Sequence, residues 1–269
     1  MNIFAGSQTF LGKSFLPFLE KHSALFLENE NDYYYHPQKL DSLFKEHNPD
    51  FYFNFFEYNE ITDAEYWREH AYTINAVALK HIAELCQRHN TRLIHISSLY
   101  VFGDVSENPY SPDDAPQPKN VYGDSKFLGE QYILQSQCNN TIIRISDLFD
   151  NSLNFNVPYI KYIHNEFHTI HDYMISPMSY VECSRSIDDI INRSSQEVEH
   201  IASEDRVYSK DFIQYLIDEN SNVDKTNAQV KTMSIEEFSS IASLSKHSSL
   251  LPTVKTSPWK DIFSGTLEK

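Results

Sequence analysis

The 269-residue chain is poor in cysteine, in positive charge and in long apolar runs. Cys86, Cys138 and Cys183 are too widely spaced for a disulfide framework or a thiolate metal site, and they predict a reduced, cytoplasmic compartment. The 12 histidines form no ligand pattern, so no metal is expected. A net charge of −16 argues against nucleic acid as a partner. No run approaches the roughly 20 apolar residues of a membrane span, and no signal peptide is expected ahead of the first strand.

Glycine is also scarce, and two of the six, Gly6 and Gly12, bracket a turn near the amino terminus. Residues 1–5 read as a buried strand before this turn, and residues 13–21 continue after it with apolar side chains at helical spacing. A strand, a glycine turn and a helix together can receive a dinucleotide pyrophosphate on backbone N–H groups. Thr9 stands where a middle glycine is expected, so an ordinary strand-turn-helix without a nucleotide stays an open alternative.

Strand-like and helix-like segments alternate along the chain. Strands are predicted at residues 1–5, 24–27, 51–55, 92–96 and 141–145. Residues 64–89 form an amphipathic helical stretch with one apolar side, made of Ala71, Ile74, Val77, Ala78, Ile82 and Leu85. This βαβ alternation predicts an α/β fold, a Rossmann-type doubly wound parallel sheet with helices on both faces.

The second half of the chain has a looser pattern. Residues 1–150 are expected to form mainly the Rossmann dinucleotide-binding domain, and 151–269 mainly a smaller C-terminal substrate-binding lobe with segments that return to the Rossmann core. Within the second part we predict a loop at residues 151–156 and a strand at residues 198–201. Helices are predicted at residues 180–191, 209–217 and 234–245.

The most informative segment runs from Asn120 to Lys126 and follows the Ser97-Ser98 pair by about one βα unit. Tyr122 lies four residues before Lys126, so on a helix both side chains share one face, and the ammonium would lower the pKa of the phenol. Such a tyrosine can donate a proton to a carbonyl oxygen that a serine hydroxyl holds while hydride arrives from the other side. The alternative is an aromatic side chain beside a solvated lysine.

A longer set of motifs resembles dTDP-4-dehydrorhamnose reductase, an extended short-chain dehydrogenase/reductase. The run HISSLYVFG, from His95 to Gly103, and NVYGDSK, from Asn120 to Lys126, carry most of the likeness. Pro109-Tyr110, Asp113-Asp114, Pro118 and Gly129-Glu130 add to it. The resemblance continues in the family's order at residues 49–54, 74–78, 143–146, 175–180 and 258–260.

The resemblance implies a role for individual residues. Tyr122 would be the general acid, Lys126 would lower its pKa and bind the nicotinamide ribose, and Ser98 would polarise the keto oxygen. Glu28, 22 residues after Gly6, is placed to accept hydrogen bonds from the adenosine ribose, which favours NAD over NADP. The substrate would contact Ser98, Tyr100 and Asp147. The cofactor would contact Gly6, Thr9, Phe10, Leu11, Gly12, Glu28, Asn54, Phe55, Ser97, Tyr122 and Lys126.

The resemblance implies that the chain reduces a nucleotide-linked 4-keto-6-deoxysugar with NAD(P) as cofactor, in surface polysaccharide biosynthesis. A homodimer is an open alternative to a monomer. Four departures from the family pattern have two competing explanations: the substrate is a different nucleotide-linked keto-sugar, or the chain is a cofactor-impaired regulatory or interaction protein on the same fold. The departures are Thr9 in the turn, Phe55-Phe56-Glu57 where small residues are usual, Leu99 in place of an acidic residue, and Asp147 in place of a tryptophan. Consecutive strand residues point to opposite faces, so at most one of Phe55 and Phe56 should face the cofactor.

Overall fold

Fourteen strands and eleven α-helices are present in the part of the chain that the computed structural model describes, which is residues 1–19, 23–104, 107–150, 157, 159–163, 166–193, 197–219, 230–238, 242–245 and 247–264. The strands are β1 Asn2–Ala5, β2 Ala24–Phe26, β3 Phe51–Asn54, β4 Arg92–Ser98, β5 Asn140–Ile145, β6 Leu148–Phe149, β7 Ile160–Ile163, β8 Glu166–Ile170, β9 Met174–Ile175, β10 Met178–Ser179, β11 Val198–Ile201, β12 Val207–Tyr208, β13 Val230–Met233 and β14 His247–Ser248. The helices are α1 Phe10–Leu19, α2 Glu30–Tyr35, α3 Gln38–His47, α4 Ile61–Tyr66, α5 Arg68–Tyr72, α6 Ala78–His89, α7 Val121–Ser136, α8 Tyr180–Ile191, α9 Ser209–Glu219, α10 Ile235–Phe238 and α11 Trp259–Ser264. A π-helical turn spans Thr73–Val77, and a 3-10 turn spans Leu99–Val101.

Six strands form one parallel sheet in the order β11-β5-β4-β3-β1-β2. All five strands predicted in the first half of the chain are in this sheet. The strand β4 is longer than predicted and includes Ser97 and Ser98, whose register continues against β5. The predicted strand at residues 198–201 is β11, which returns to the edge of the sheet beside β5.

Alternate strand residues pack into two separate hydrophobic clusters. In β1, Phe4 packs in a cluster with Phe15 of α1 and residues of α8, whereas Ile3 packs in a second cluster with Phe44 of α3 and Ile82 of α6. Helices therefore cover both faces of the sheet, as expected for a parallel sheet built from βαβ units. The predicted Rossmann-type α/β fold is confirmed. The division of the chain near residue 150 stays a prediction.

The helical stretch predicted at residues 64–89 is interrupted. It begins earlier, at Ile61, is broken at Trp67, and contains the π-helical turn Thr73–Val77. A π turn has more residues than an α turn, so the residues around it change face. Val77, predicted on the apolar side, is 55% exposed, and Asn75 is buried instead.

The described part of the second half of the chain adds small sheets with the strand orders β10-β6, β12-β9-β14 and β13-β8-β7. The predicted helices at residues 180–191 and 209–217 correspond to α8 and α9. The helix predicted at residues 234–245 is wrong in its length, because α10 ends at Phe238 and residues 242–245 are irregular. The loop predicted at residues 151–156 lies outside the described residues. Within the described ranges, no helix has the length and apolar character needed to cross a bilayer.

Candidate active site

A cavity of about 150 Å³ lies at the carboxyl edge of the main sheet. This edge is where open α/β sheets bind their ligands. The wall of the cavity is formed by residues that follow the ends of the strands and by the starts of α1, α7 and α8. The predicted site residues on this wall are Thr9, Phe10, Leu11, Phe55, Ser97, Ser98, Tyr100, Tyr122 and Asp147.

The position of Tyr122 is fixed by the start of α7. Asn120 caps this helix, since its Oδ1 accepts a hydrogen bond from the Gly123 N–H at 2.8 Å. A Cβ at Gly123 would lie 2.0 Å from the carbonyl oxygen of Tyr100, so only glycine allows α7 to contact the 3-10 turn at this point. This contact places Tyr122 beside Ser98 at the end of β4.

Lys126 and Tyr122 both contact the carboxylate of Glu57. The Lys126 ammonium is fully buried, donates to the carbonyl oxygen of Ile96 at 2.7 Å, and lies 2.7 Å from Glu57 Oε2. The Tyr122 hydroxyl donates to the same Glu57 oxygen at 3.1 Å. One carboxylate oxygen therefore connects the two residues of the Tyr-x-x-x-Lys motif.

This arrangement corrects the predicted effect of Lys126 on the phenol. Burial raises the pKa of Tyr122 well above its usual value, and the Glu57 charge raises this pKa further, while a hydrogen bond with Ser98 opposes the change. A lowered pKa of Tyr122 is thus the wrong prediction for this structure. The sequence showed the cation but neither the carboxylate nor the degree of burial.

The turn after β1 depends on Gly6 and Thr9. Gly6 has φ +94°, and a Cβ there would lie 2.4 Å from the carbonyl carbon of Phe55. The Thr9 hydroxyl donates to the Gly6 carbonyl oxygen at 2.8 Å and accepts from the Gly12 N–H at 2.9 Å. The Thr9 side chain therefore closes the turn internally.

The start of α1 fits the pyrophosphate of a dinucleotide. Phe10 and Leu11 lie in its first turn, where N–H groups have no partner within the helix, and both residues line the cavity. The Phe10 side chain is 62% exposed, and its ring centroid lies 5.8 Å from that of Tyr180. With the left-handed backbone of Gly6, these features fit a nicotinamide dinucleotide at this edge of the sheet.

Of the predicted cofactor residues, Asn54 and Ser97 use their side chains for hydrogen bonds within the protein, and Glu28 is not the carboxylate that contacts the glycine turn. Glu28 is exposed, and Glu30 is the carboxylate that accepts from the Gly6 N–H, at 3.1 Å. Asn54 is buried away from the cavity wall, where its amide contacts Tyr34 and, at 2.8 Å, His95 Nδ1. The Ser97 hydroxyl donates to the Glu130 carboxylate, which is paired with Arg144 at 2.7 Å.

Phe55 and Phe56 point to opposite faces of the sheet, as predicted. The Phe55 ring borders the cavity and packs at centroid distances of 5.0 Å from Phe4 and 5.1 Å from Phe15. Phe56 packs in the other cluster, 4.8 Å from the ring of Tyr34.

Asp147, which also lines the cavity, accepts hydrogen bonds from two tyrosines. Its Oδ1 accepts from Tyr100 at 3.1 Å and its Oδ2 from Tyr159 at 2.8 Å. Burial raises the pKa of Asp147 to about 6, and the two hydrogen bonds only partly oppose this change. Sequence reasoning missed Tyr159, for which no motif gives a signal. It named Glu57 only as a departure from small residues, which marked the position as unusual and gave no sign of the contact with Tyr122 and Lys126.

Comparison with known proteins identifies the family. The model of the family described as "RmlD substrate binding domain" matches residues 3–264. The chain belongs to this family. It is 38% identical over 98 residues to a dTDP-4-dehydrorhamnose reductase of Mycolicibacterium smegmatis, an alignment that covers 36% of this chain and 30% of that protein. It is 35% identical over 103 residues to the Bacillus subtilis spore coat polysaccharide biosynthesis protein SpsK, covering 38% of this chain and 36% of that protein.

The chain thus aligns with about a third of the length of these curated relatives. A solved structure of a dTDP-4-dehydrorhamnose reductase from Clostridium acetobutylicum has a TM-score of 0.88 at 22% identity, covering 100% of this chain and 99% of that chain. The enzyme from Bacillus anthracis in complex with NADP has a TM-score of 0.87 at 22% identity, covering 98% and 97%. At this identity the two structures establish a shared fold.

Proposed function

We propose that the chain is an NAD(P)-dependent reductase of a nucleotide-linked 4-keto-6-deoxysugar, in the biosynthesis of a surface polysaccharide. The observation that carries the proposal is that Ser98 and Tyr122, from separate elements, meet on one cavity with Lys126 directly behind them. The names of the relatives support the substrate class and the pathway, and the NADP complex of a structural neighbour supports a nicotinamide cofactor.

The chemistry is divided between the cofactor and the chain. A bound nicotinamide would supply the hydride. The Ser98 hydroxyl would orient the keto oxygen, and Tyr122 would donate its proton to that oxygen. The Tyr122 phenol is protonated at neutral pH, as an ordinary tyrosine is, and this is the form that a general acid needs. Its raised pKa makes it a weaker proton donor than an ordinary tyrosine. Tyr100 and Asp147, which also line the cavity, would contact the sugar.

The charges near the end of β2 favour NAD over NADP. Glu30 contacts the Gly6 N–H, and Glu28 and Asp32 lie close to it in sequence. Carboxylates repel the additional phosphate of NADP, whereas they accept hydrogen bonds from a ribose diol. We therefore expect tighter binding of NADH than of NADPH.

The proposal is tested by titrating NADH and NADPH and then following cofactor oxidation with a panel of nucleotide-linked keto-sugars. We expect Tyr122→Phe to lower kcat by about 10²–10⁴-fold, because it removes the proton donor, and to leave cofactor affinity unchanged. The matched control is Tyr132→Phe, a partly exposed tyrosine on the same helix. Full activity of Tyr122→Phe would remove Tyr122 from the role of acid. A wild-type chain that binds neither cofactor would favour the regulatory alternative.

A further inference from the structure

Glu57 stands between the cavity and Lys126. Its carboxylate borders the cavity and its side chain is 21% exposed, whereas Lys126 is fully buried and does not line the cavity. The Lys126 ammonium has three N–H donors. One donates to Ile96 and another faces Glu57. A ligand oxygen that approaches Lys126 from the cavity therefore meets the Glu57 carboxylate first.

The backbone that carries Glu57 is held in place by Asn75. The Asn75 Oδ1 accepts from the Tyr58 N–H at 2.9 Å, and its Nδ2 donates to the Tyr58 carbonyl oxygen at 3.0 Å. The same Nδ2 lies 3.0 Å from Ser125 Oγ on α7. The residue after Glu57 is thus tied to the helix that carries Tyr122 and Lys126.

We propose that Glu57 competes with the cofactor for Lys126 and thereby sets the cofactor affinity of this chain. The proposal rests on the proposed function, in which Lys126 binds the hydroxyl groups of the nicotinamide ribose. The carboxylate offers Lys126 and Tyr122 the oxygen acceptor that a bound ligand would offer them. The cofactor therefore has to break the charge-assisted pair of Glu57 and Lys126 before it can contact Lys126 itself. This cost reduces the observed cofactor affinity.

The test is a fluorescence titration of NADH and NADPH with the wild-type chain, Glu57→Ala and Glu57→Gln. We expect Glu57→Ala to tighten cofactor binding by about tenfold or more, because the competing charge-assisted hydrogen bond is gone. Glu57→Gln keeps an oxygen acceptor without the charge, so we expect a smaller gain. The control is Glu60→Ala, an exposed carboxylate in the same loop, for which we expect an unchanged dissociation constant.

The outcomes separate this proposal from the proposed function. Weaker binding by Glu57→Ala would mean that the carboxylate itself holds the ligand. If the wild type and Glu57→Ala both bind the cofactor with the same dissociation constant, Glu57 does not compete for Lys126. Either result overturns the proposal and leaves the reductase standing. If neither protein binds a cofactor, both proposals fail. If Glu57→Ala does not fold, Glu57→Gln decides, and a dissociation constant equal to or above that of the wild type overturns the competition.

Discussion

Asp147→Asn should change how the stability of this protein depends on pH. Asp147 is buried, accepts hydrogen bonds from Tyr100 and Tyr159, and has a pKa raised to about 6. Asparagine has nearly the same shape and no charge in this pH range. The substitution therefore removes the titration of this site, while any loss from rearranged hydrogen bonds should be constant with pH.

The sign and size follow from linkage. A carboxyl group whose pKa is raised on folding binds more protons in the native state between the two pKa values, so its contribution to stability falls as pH rises through that window. A pKa of about 6 against the ordinary 3.8 corresponds to about 3 kcal/mol of native-state cost, absent at low pH and complete above pH 7. About 2 kcal/mol of this cost develops between pH ~4.5 and pH ~7.5.

Urea unfolding of both proteins across this pH range provides the measurement. The free energy of unfolding of Asp147→Asn, minus that of the wild type, should increase by about 2 kcal/mol between pH ~4.5 and pH ~7.5. Asp189→Asn, which removes an exposed carboxylate from α8, is the control and should give a nearly flat difference. Parallel curves for Asp147→Asn and the wild type would refute the raised pKa and with it the electrostatic description of this wall.

Two further predictions concern Lys126 and Phe55. Lys126→Met should lower the free energy of unfolding by about 3–5 kcal/mol, since it leaves Glu57 without its ion-pair partner, and should also weaken cofactor binding. In urea unfolding, the double variant Lys126→Met, Glu57→Gln should regain part of the free energy of unfolding lost in Lys126→Met. No such gain would contradict the pairing of Lys126 with Glu57. Phe55→Ala should cost about 3–5 kcal/mol, because its ring packs on Phe4 and Phe15, while cofactor titration should show less than about tenfold tighter binding. A gain of several kcal/mol in cofactor affinity would instead show that Phe55 blocks the site.

The parts of the fold that local patterns determine were predictable. Short apolar runs between amphipathic segments identified β1 to β5 and β11, because a buried parallel strand needs little more than such a run. The π-helical turn was not predictable from periodicity, since the 3.6-residue repeat assumes an unbroken α-helix. For this reason Val77 was assigned to the wrong side and Asn75 was not recognised as an anchor.

The candidate site shows the same limit. The Tyr122 and Lys126 motif lies within one helix, so its spacing was enough to bring the two side chains together. Glu57 meets Tyr122 from 65 residues away in sequence, through a loop that Asn75 holds, and no local pattern encodes that contact. The shift in the Tyr122 pKa depends on this long-range contact and on burial, which explains why its direction could not be read from the motif.

The absence of a side chain at Gly123 limits which residues α7 can carry at this position. A Cβ there would lie 2.0 Å from the Tyr100 carbonyl oxygen, so a larger residue would require α7 to move away from the 3-10 turn. Such a movement would shift Tyr122, the residue directly before Gly123, away from Ser98 at the end of β4. In the proposed reductase it would separate the proposed proton donor from the hydroxyl proposed to orient the keto oxygen. Gly123→Ala should therefore impair the proposed reaction although the substitution adds only a methyl group outside the cavity wall.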